Sequence, residues 1–429
     1  MKVNLVTLGC SKNLVDSEKL LYQLQKNGHS ILHNSNEYTE AVIINTCGFI
    51  LDAKTESIEN ILNYVEAKKQ GFIGRVVVMG CLSERYRSEL KTEIPELDGI
   101  FGVNEQEQIL ASLESRYYQG ELYIRSLQTP SHYAYLKISE GCDRRCAFCA
   151  IPGIRGKQVS VPIPELTREA GELASAGVKE LILIAQELTS YGTDIYRKKA
   201  LPELLEELVK INGIEWIRLH YTYPLGFPTG EIVQLMKKHR KICRYLDIPV
   251  QHISDRVLKS MKRGHGAAEI YEIINTFRKE IPGIAVRSTL ISGYPGETSE
   301  DHKILKEFVR EIKFDRLGVF SYSHEEGTSA YSELEDDIQT GVKETRLREI
   351  MDLQQVISLE NNQNKIGSLF RVIIDGREGD FYTARTEFDS PEVDNEVLIP
   401  AEDPELTPGE FYTVKIYDAT EYDLYGRVV

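Results

Sequence analysis

Apolar runs of strand length alternate with amphipathic helical stretches through the first third of the chain. Val3 to Leu8 precedes Asp16 to Asn27, Ala41 to Asn45 precedes Ala53 to Lys69, and Arg75 to Met79 precedes Glu84 to Leu90. Such alternation predicts an α/β domain with a parallel sheet. Residues 118 to 133, with Tyr117-Tyr118, Gly120, Pro130 and Ser131, predict a linker. Beyond it a second series places strands at Ala134 to Ile138, Glu180 to Ala185, Trp216 to Tyr221, Tyr245 to Val250, Ala285 to Ile291 and Arg316 to Tyr322, with helical stretches between them. Six strand-helix units fall short of the eight of a closed barrel, so they predict an open, partial (β/α)6 barrel with its site at the carboxyl ends of the strands. After a polar helix ending near Asn362 to Lys365, short strands at Leu369 to Ile374, Phe381 to Arg385, Glu396 to Ile399 and Phe411 to Ile416 predict a small β-barrel.

Composition narrows the class. The chain has 429 residues, 41% hydrophobic and 27% charged, with a net charge of −15, and reads as an ordinary globular protein of two to four domains. No run approaches the roughly 18 apolar residues of a membrane span, so no membrane partner is expected. Val3 to Gly9 is too short for a signal-peptide core before Cys10, and Lys12 and Asn13 follow at once, so no export signal is expected. An acidic chain repels nucleic acid unless it carries a local basic patch, and it suits a basic partner. From Ile366 onward fifteen Asp and Glu face five Arg and Lys, so two thirds of the negative charge sits in the last 64 residues.

Seven cysteines in a chain without an export signal point to a reducing, cytoplasmic setting, where clustered thiols mean metal binding or catalysis more often than disulfides. Cys10, Cys47 and Cys81 each stand just past the carboxyl end of a predicted strand, 37 and 34 residues apart. Parallel strands present those ends along one ligand-binding edge, so three thiols converge there. Cys142, Cys146 and Cys149 form a C-x3-C-x2-C loop after another strand. Three thiolates so close suit one metal or cluster. Structural zinc normally takes four protein ligands, and no fourth Cys or His lies near in sequence. A three-thiolate 4Fe-4S cluster leaves one iron open to bind something. Cys243 stands apart and reads as structural.

The C-x3-C-x2-C loop with Phe148 before its last cysteine resembles the radical S-adenosylmethionine (SAM) superfamily. That resemblance implies that the open iron chelates SAM, and that cluster-driven cleavage of SAM yields an adenosyl radical. It marks Cys142, Cys146 and Cys149 as catalytic. It also makes Phe148, Gln186 after Leu183-Ile184-Ala185, and Ser292 and Gly293 in Ile291-Ser292-Gly293-Tyr294-Pro295-Gly296-Glu297-Thr298 candidate cofactor contacts. The two glycines of that word would let backbone approach the ligand. An N-terminal domain with three such cysteines is similar to the methylthiotransferases, which implies a second 4Fe-4S cluster on Cys10, Cys47 and Cys81.

Leu8-Gly9-Cys10-Ser11-Lys12-Asn13, Asn45-Thr46-Cys47-Gly48-Phe49-Ile50, Gly80-Cys81-Leu82-Ser83-Glu84-Arg85-Tyr86, Arg218-Leu219-His220-Tyr221 and Asp389-Ser390-Pro391-Glu392-Val393-Asp394 resemble the RimO family, over essentially the whole chain. The transfer-RNA branch instead follows its first cysteine with Gln-Met-Asn. Two departures from the family are Val161, where Arg is expected, and His324, where Pro is usual.

The resemblance implies an N-terminal methylthiotransferase domain with an auxiliary cluster over residues 1–125, a radical SAM domain over 132–362 and an OB-like TRAM barrel over 363–429. It implies SAM and two 4Fe-4S clusters, a flavodoxin or ferredoxin reductant, and methylthiolation of an aspartate β-carbon in small ribosomal subunit protein twelve. The acidic C-terminal module argues against RNA binding and for a basic protein partner. The alternatives are the same chemistry on a transfer-RNA adenosine, marked by salt-sensitive RNA binding, and a non-catalytic iron-sulfur ribosome-binding factor that would not turn over SAM.

Overall fold

A computed structural model describes residues 1–402 and 405–429. Its first sheet is five-stranded and parallel, in the spatial order Ser30–His33, Lys2–Thr7, Thr39–Thr46, Ile73–Gly80 and Gly99–Ile100. Successive residues point to opposite faces, and both faces are apolar. Val3, Leu5, Ala41 and Ile43 pack under the helices Ser11–Lys26 and Gln106–Ser112. Val6, Val42, Ile44, Val76 and Val78 pack under Leu51–Lys69 and Arg87–Glu93. The edge strands Ser30–His33 and Gly99–Ile100 escaped prediction because each is short and lacks an apolar run.

The six predicted central strands are all present: Tyr133–Lys137, Glu180–Ile184, Trp216–Leu219, Tyr245–Asp247, Ala285–Ser292 and Arg316–Ser321. They form two parallel three-stranded sheets joined at a seam by the bridge Ile217 to Ile242 and by Thr222 N, which donates to Asp247 O at 3.1 Å. Leu166, Leu204, Ile270 and Phe308, from the surrounding helices, share one core with Leu183, Leu219, Leu246 and Leu290 of the strands. The segment expected to be a linker is docked: the Arg125 side chain is fully buried against Glu18 and Glu169, and Gln128 N donates to Glu18 at 2.8 Å.

Helix Thr340–Gln363 packs against the last strand of the barrel and leads into the C-terminal module. That module is a closed barrel of Leu369–Glu378, Phe381–Thr386, Val397–Pro400, Leu424–Val428 and Phe411–Ala419. The sequence reading gave four of its strands. The fifth, Leu424–Val428, is interrupted by Gly426, where a Cβ would overlap Val414. Asp403 and Pro404 of this module lie outside the described residues.

The acidic C-terminal module faces the central barrel with much of its charge. Asp375 bonds His132 at 2.7 Å, Glu387 pairs with Arg244 at 2.7 Å, and Glu410 pairs with Lys179 at 2.7 Å. In the word Asp389 to Asp394, Asp389 pairs with Arg316, Glu392 accepts from Tyr133 and Tyr135, and Asp394 accepts from Tyr245 at 2.6 Å. Buried Glu180 lies between Arg218 and Arg385, 2.8 Å from each. Burial alone would raise its pKa, but the two guanidiniums hold it below the usual carboxylate range. Six of the module's fifteen carboxylates therefore serve as docking contacts, which weakens total charge as a measure of what its outer surface attracts.

Candidate metal centres and cofactor site

Strand register brings the first three cysteines together. Thr7 pairs with Asn45, and Thr46 with Gly80, so three adjacent strands end side by side. Cys10 caps helix Ser11–Lys26, Cys47 follows its strand directly, and Cys81 opens helix Cys81–Arg85. Asn13 Nδ2 ties two of these ends by donating to Leu8 O at 2.8 Å and Thr46 O at 3.1 Å. Gly9, at φ +86°, permits the close packing: a Cβ there would lie 2.6 Å from Cys47 Cβ and 2.9 Å from its Sγ. Burial pushes the Cys47 thiol up and the Cys81 thiol up to about 11.

Cys142, Cys146 and Cys149 lie on the loop that leaves strand Tyr133–Lys137 through the short ribbon Ser139–Glu140. Ala147 N donates to Met261 O at 2.9 Å, and Arg144 Nε pairs with Glu187 at 3.1 Å, so the loop is pinned to the barrel at two points. The Cys146 sulfur lies 3.4 Å from Arg263 Nη1 and 3.7 Å from Tyr223 Oη. Burial pushes Cys142 up to about 11 and Cys149 up to about 12. Thiols held neutral in this way must lose protons to bind metal, which couples loading to pH.

The other predicted contacts surround this loop. Phe148 packs with Ala147, Val257 and Tyr294. Gln186, just past strand Glu180–Ile184, donates to Glu140 Oε1 at 2.5 Å, and its own Oε1 is buried without a partner. Ser292 Oγ is likewise buried and unpartnered, at the end of its strand. Gly293 donates to Glu297 Oε2 at 2.7 Å, but the space a Cβ would fill there is occupied by the Lys343 side chain. The close approach that Gly293 permits is therefore to this lysine.

Between the triads lies a buried charged network that the sequence reading did not find. Arg155, on helix Ile151–Arg155 of the barrel, reaches into the N-terminal domain. Its Nε lies 3.3 Å from Cys81 Sγ and its Nη2 donates to Asn13 Oδ1 at 2.5 Å, while Nη1 pairs with Asp16 at 3.3 Å and Glu140 at 2.9 Å. Lys137 binds the same two carboxylates. Burial would raise Glu140, but Lys137 and Arg155 hold it well below the usual carboxylate range. Glu140 and Asn13 stand close to cysteines in sequence and offered a signal. Arg155 offered none, because its partners are 15 to 142 positions away.

The donor sets fit iron-sulfur clusters. Each triad offers three thiols, guanidinium groups reach a sulfur of each, and orphaned polar atoms line the barrel mouth. Among the described residues no three His, Cys, Asp or Glu side chains close as tightly as a single metal ion requires. Cys243 belongs to neither triad: it is buried among Trp216, Tyr245 and Ala285, and burial pushes its thiol up to about 12.

Three family models match in tandem: an uncharacterized protein family, UPF0004, over residues 2–102, the radical SAM superfamily over 136–309, and the TRAM domain over 366–429. The ribosomal protein uS12 methylthiotransferase RimO of Flavobacterium johnsoniae is 56% identical over 428 residues, which cover 99% of this chain and 98% of that protein. This chain belongs to the RimO family. The RimO protein of Flavobacterium psychrophilum is 57% identical over 426 residues, again 99% of this chain and 98% of that protein. Among solved structures, the radical SAM methyltransferase TsrM of Kitasatospora setae, with cobalamin and a 4Fe-4S cluster bound, gives a TM-score of 0.55 at 16% identity, over 75% of this chain and 74% of that one. The cobalamin-dependent SAM radical enzyme OxsB gives 0.52 at 12% identity, over 83% of this chain and 56% of that one. Those two likenesses establish the radical SAM fold and, at such low identity, nothing finer. A RimO-family chain is a methylthiotransferase, a sulfur-group-transferring enzyme of the radical SAM class. No described helix is long and apolar enough to cross a membrane.

Proposed function

We propose that this protein adds a methylthio group to the β-carbon of an aspartate in small-subunit ribosomal protein uS12, in the cytoplasm, using SAM, two 4Fe-4S clusters and electrons from a flavodoxin or ferredoxin. The observation that carries this reading is the pair of three-cysteine sites that meet across one buried charged network. In this reading Cys142, Cys146 and Cys149 hold the cluster that cleaves SAM, with Phe148, Gln186, Ser292 and Gly293 around the SAM site, and Cys10, Cys47 and Cys81 hold the auxiliary cluster.

A carbon-hydrogen bond at such a position is not acidic enough for a side-chain base, so a cofactor must supply the hard step. When bound, the groups supply an adenosyl radical to remove the hydrogen and a sulfur that is methylated and transferred. The chain's own residues do the rest. Arg155 and Lys137 bridge the barrel to the N-terminal domain through Asp16 and Glu140, and hold Glu140 ionised there. The carboxylates of the C-terminal module not engaged in docking favour a basic protein over RNA.

The test is anaerobic incubation of reconstituted enzyme with SAM, sulfide, a low-potential reductant and uS12, with transfer RNA in a parallel tube. Mass spectrometry is expected to find one methylthio group in place of one hydrogen on the protein. A gain confined to the RNA would overturn the reading.

A further inference from the structure

Lys12 is mostly covered, at 8% exposure. Its Nζ lies 3.0 Å from the centroid of the Tyr221 ring, and among the described residues it has no carboxylate or hydrogen-bond acceptor. A ring face attracts the charge but satisfies none of the three N–H donors. Every other buried lysine or arginine among the described residues pairs with a carboxylate, apart from Arg263, which donates to Pro249 O and faces the Cys146 sulfur. Lys12, like Arg263, thus lacks a carboxylate, and its ammonium, which has no protein acceptor among the described residues, keeps a contact with solvent through which an anion can reach it.

Its position is informative. Lys12 follows Cys10 by two residues in the first turn of the 16-residue helix Ser11–Lys26, whose amino end favours anions. Tyr221, beneath its ammonium, lies past the carboxyl end of barrel strand Trp216–Leu219 and holds φ at +60°, a left-handed conformation uncommon for a bulky residue and typical of functional sites. Lys12 therefore spans from the auxiliary site to the barrel mouth. The nearby carboxylate, Asp247, is already engaged by Tyr221 N at 2.8 Å and Arg287 at 3.2 Å. His220, next to Tyr221, is buried with Nε2 unpartnered. Burial, then Arg287, Arg218 and Lys12, push its pKa well below the usual value. The surroundings are thus cationic and rich in donors.

We propose that Lys12 binds the side-chain carboxylate of the substrate aspartate, which would hold the adjacent β-carbon beside Cys10. The inference rests on the reading that an aspartate of a protein is the substrate, and deepens it by naming the residue that selects a carboxylate. The other available carboxylate is that of SAM, and the test separates the two.

Reconstituted enzyme is titrated anaerobically with uS12 and with uS12 whose target aspartate, located by mass spectrometry, is changed to asparagine. SAM binding is titrated separately. Wild type is expected to prefer the aspartate form by about tenfold or more, the range of a charge-assisted hydrogen bond. Lys12→Met should abolish that preference while SAM affinity stays within twofold, and Lys12→Arg should keep it. Equal binding of the two uS12 forms by wild type would overturn the proposal without recourse to any variant. So would a Lys12→Met protein that keeps the preference, or one that loses SAM binding instead. If wild type binds uS12 and modifies it while Lys12 makes no difference, only this proposal fails. If wild type neither binds nor modifies uS12, the functional reading fails, and the proposal fails with it.

Discussion

Cys142, Cys146 and Cys149 come from eight consecutive residues, whereas Cys10, Cys47 and Cys81 come from strand ends 37 and 34 positions apart. The first triad is a property of a loop, and the barrel only pins it in place through Met261, Glu187 and Arg263. The second is a property of a fold, because nothing but parallel pairing in the correct register gathers its thiols. Damage to a strand far from Cys47 can therefore dismantle the second site and leave the first intact. The difference also explains why glycine crowds the second site, where three strand ends must nearly touch.

The sharpest way to break the comparison is to remove one thiol from each triad. Cys142→Ala is expected to abolish SAM cleavage and product together, read as 5′-deoxyadenosine by chromatography. Cys10→Ala is expected to abolish methylthio product while leaving uncoupled SAM cleavage. If both variants behaved alike, the two sites would not divide the labour. Next in size is the link between them. Arg155→Met leaves Asp16 and Glu140 with Lys137 as their one cation among the described residues, and removing one partner from a buried charged group costs about 3 to 5 kcal/mol. Urea unfolding should show that loss, and Arg155→Lys should recover part of it.

Gly9→Ala separates fold from loop more finely. The left-handed backbone alone costs a non-glycine residue about 1 to 2 kcal/mol, and the added Cβ would meet Cys47. Iron analysis should show the auxiliary cluster depleted while SAM cleavage at the barrel persists. The smallest effect is a control on the barrel side. Thr298 caps helix Ser299–Ile312 in a reciprocal box with Asp301, and Thr298→Ala should cost about 1 kcal/mol without changing iron content at either site.

Much of this was legible in the sequence, for different physical reasons. All six barrel strands were legible as runs rich in apolar residues, although three of them carry an arginine, Arg218, Arg287 or Arg316. The loop triad was legible from spacing alone, and the sheet-edge triad from spacing combined with the βαβ pattern. Arg155, Asp16 and Lys137 were not legible, since a charged residue in a helix or strand ordinarily faces water, and only tertiary contacts show that these do not. The charge of the C-terminal module was legible only as a total. Composition counts carboxylates without showing that Asp389, Glu392 and Asp394 point inward to Arg316, Tyr133 and Tyr245. Arg125 is a further case, because the stretch around it had the composition of a tether and proved to be packed.

The boundary between the central and C-terminal barrels has a practical consequence for anyone exchanging parts among such enzymes. Arg218, Arg287 and Arg316 lie on three different strands of the central barrel, and all reach the segment from Thr386 to Asp394. A C-terminal module grafted from another protein would bring its own matching segment and meet guanidinium groups placed for this one. Chimeras made at residue 366 should therefore be expected to fail unless those three arginines travel with the module, and success would come from treating the two barrels as one inheritable unit.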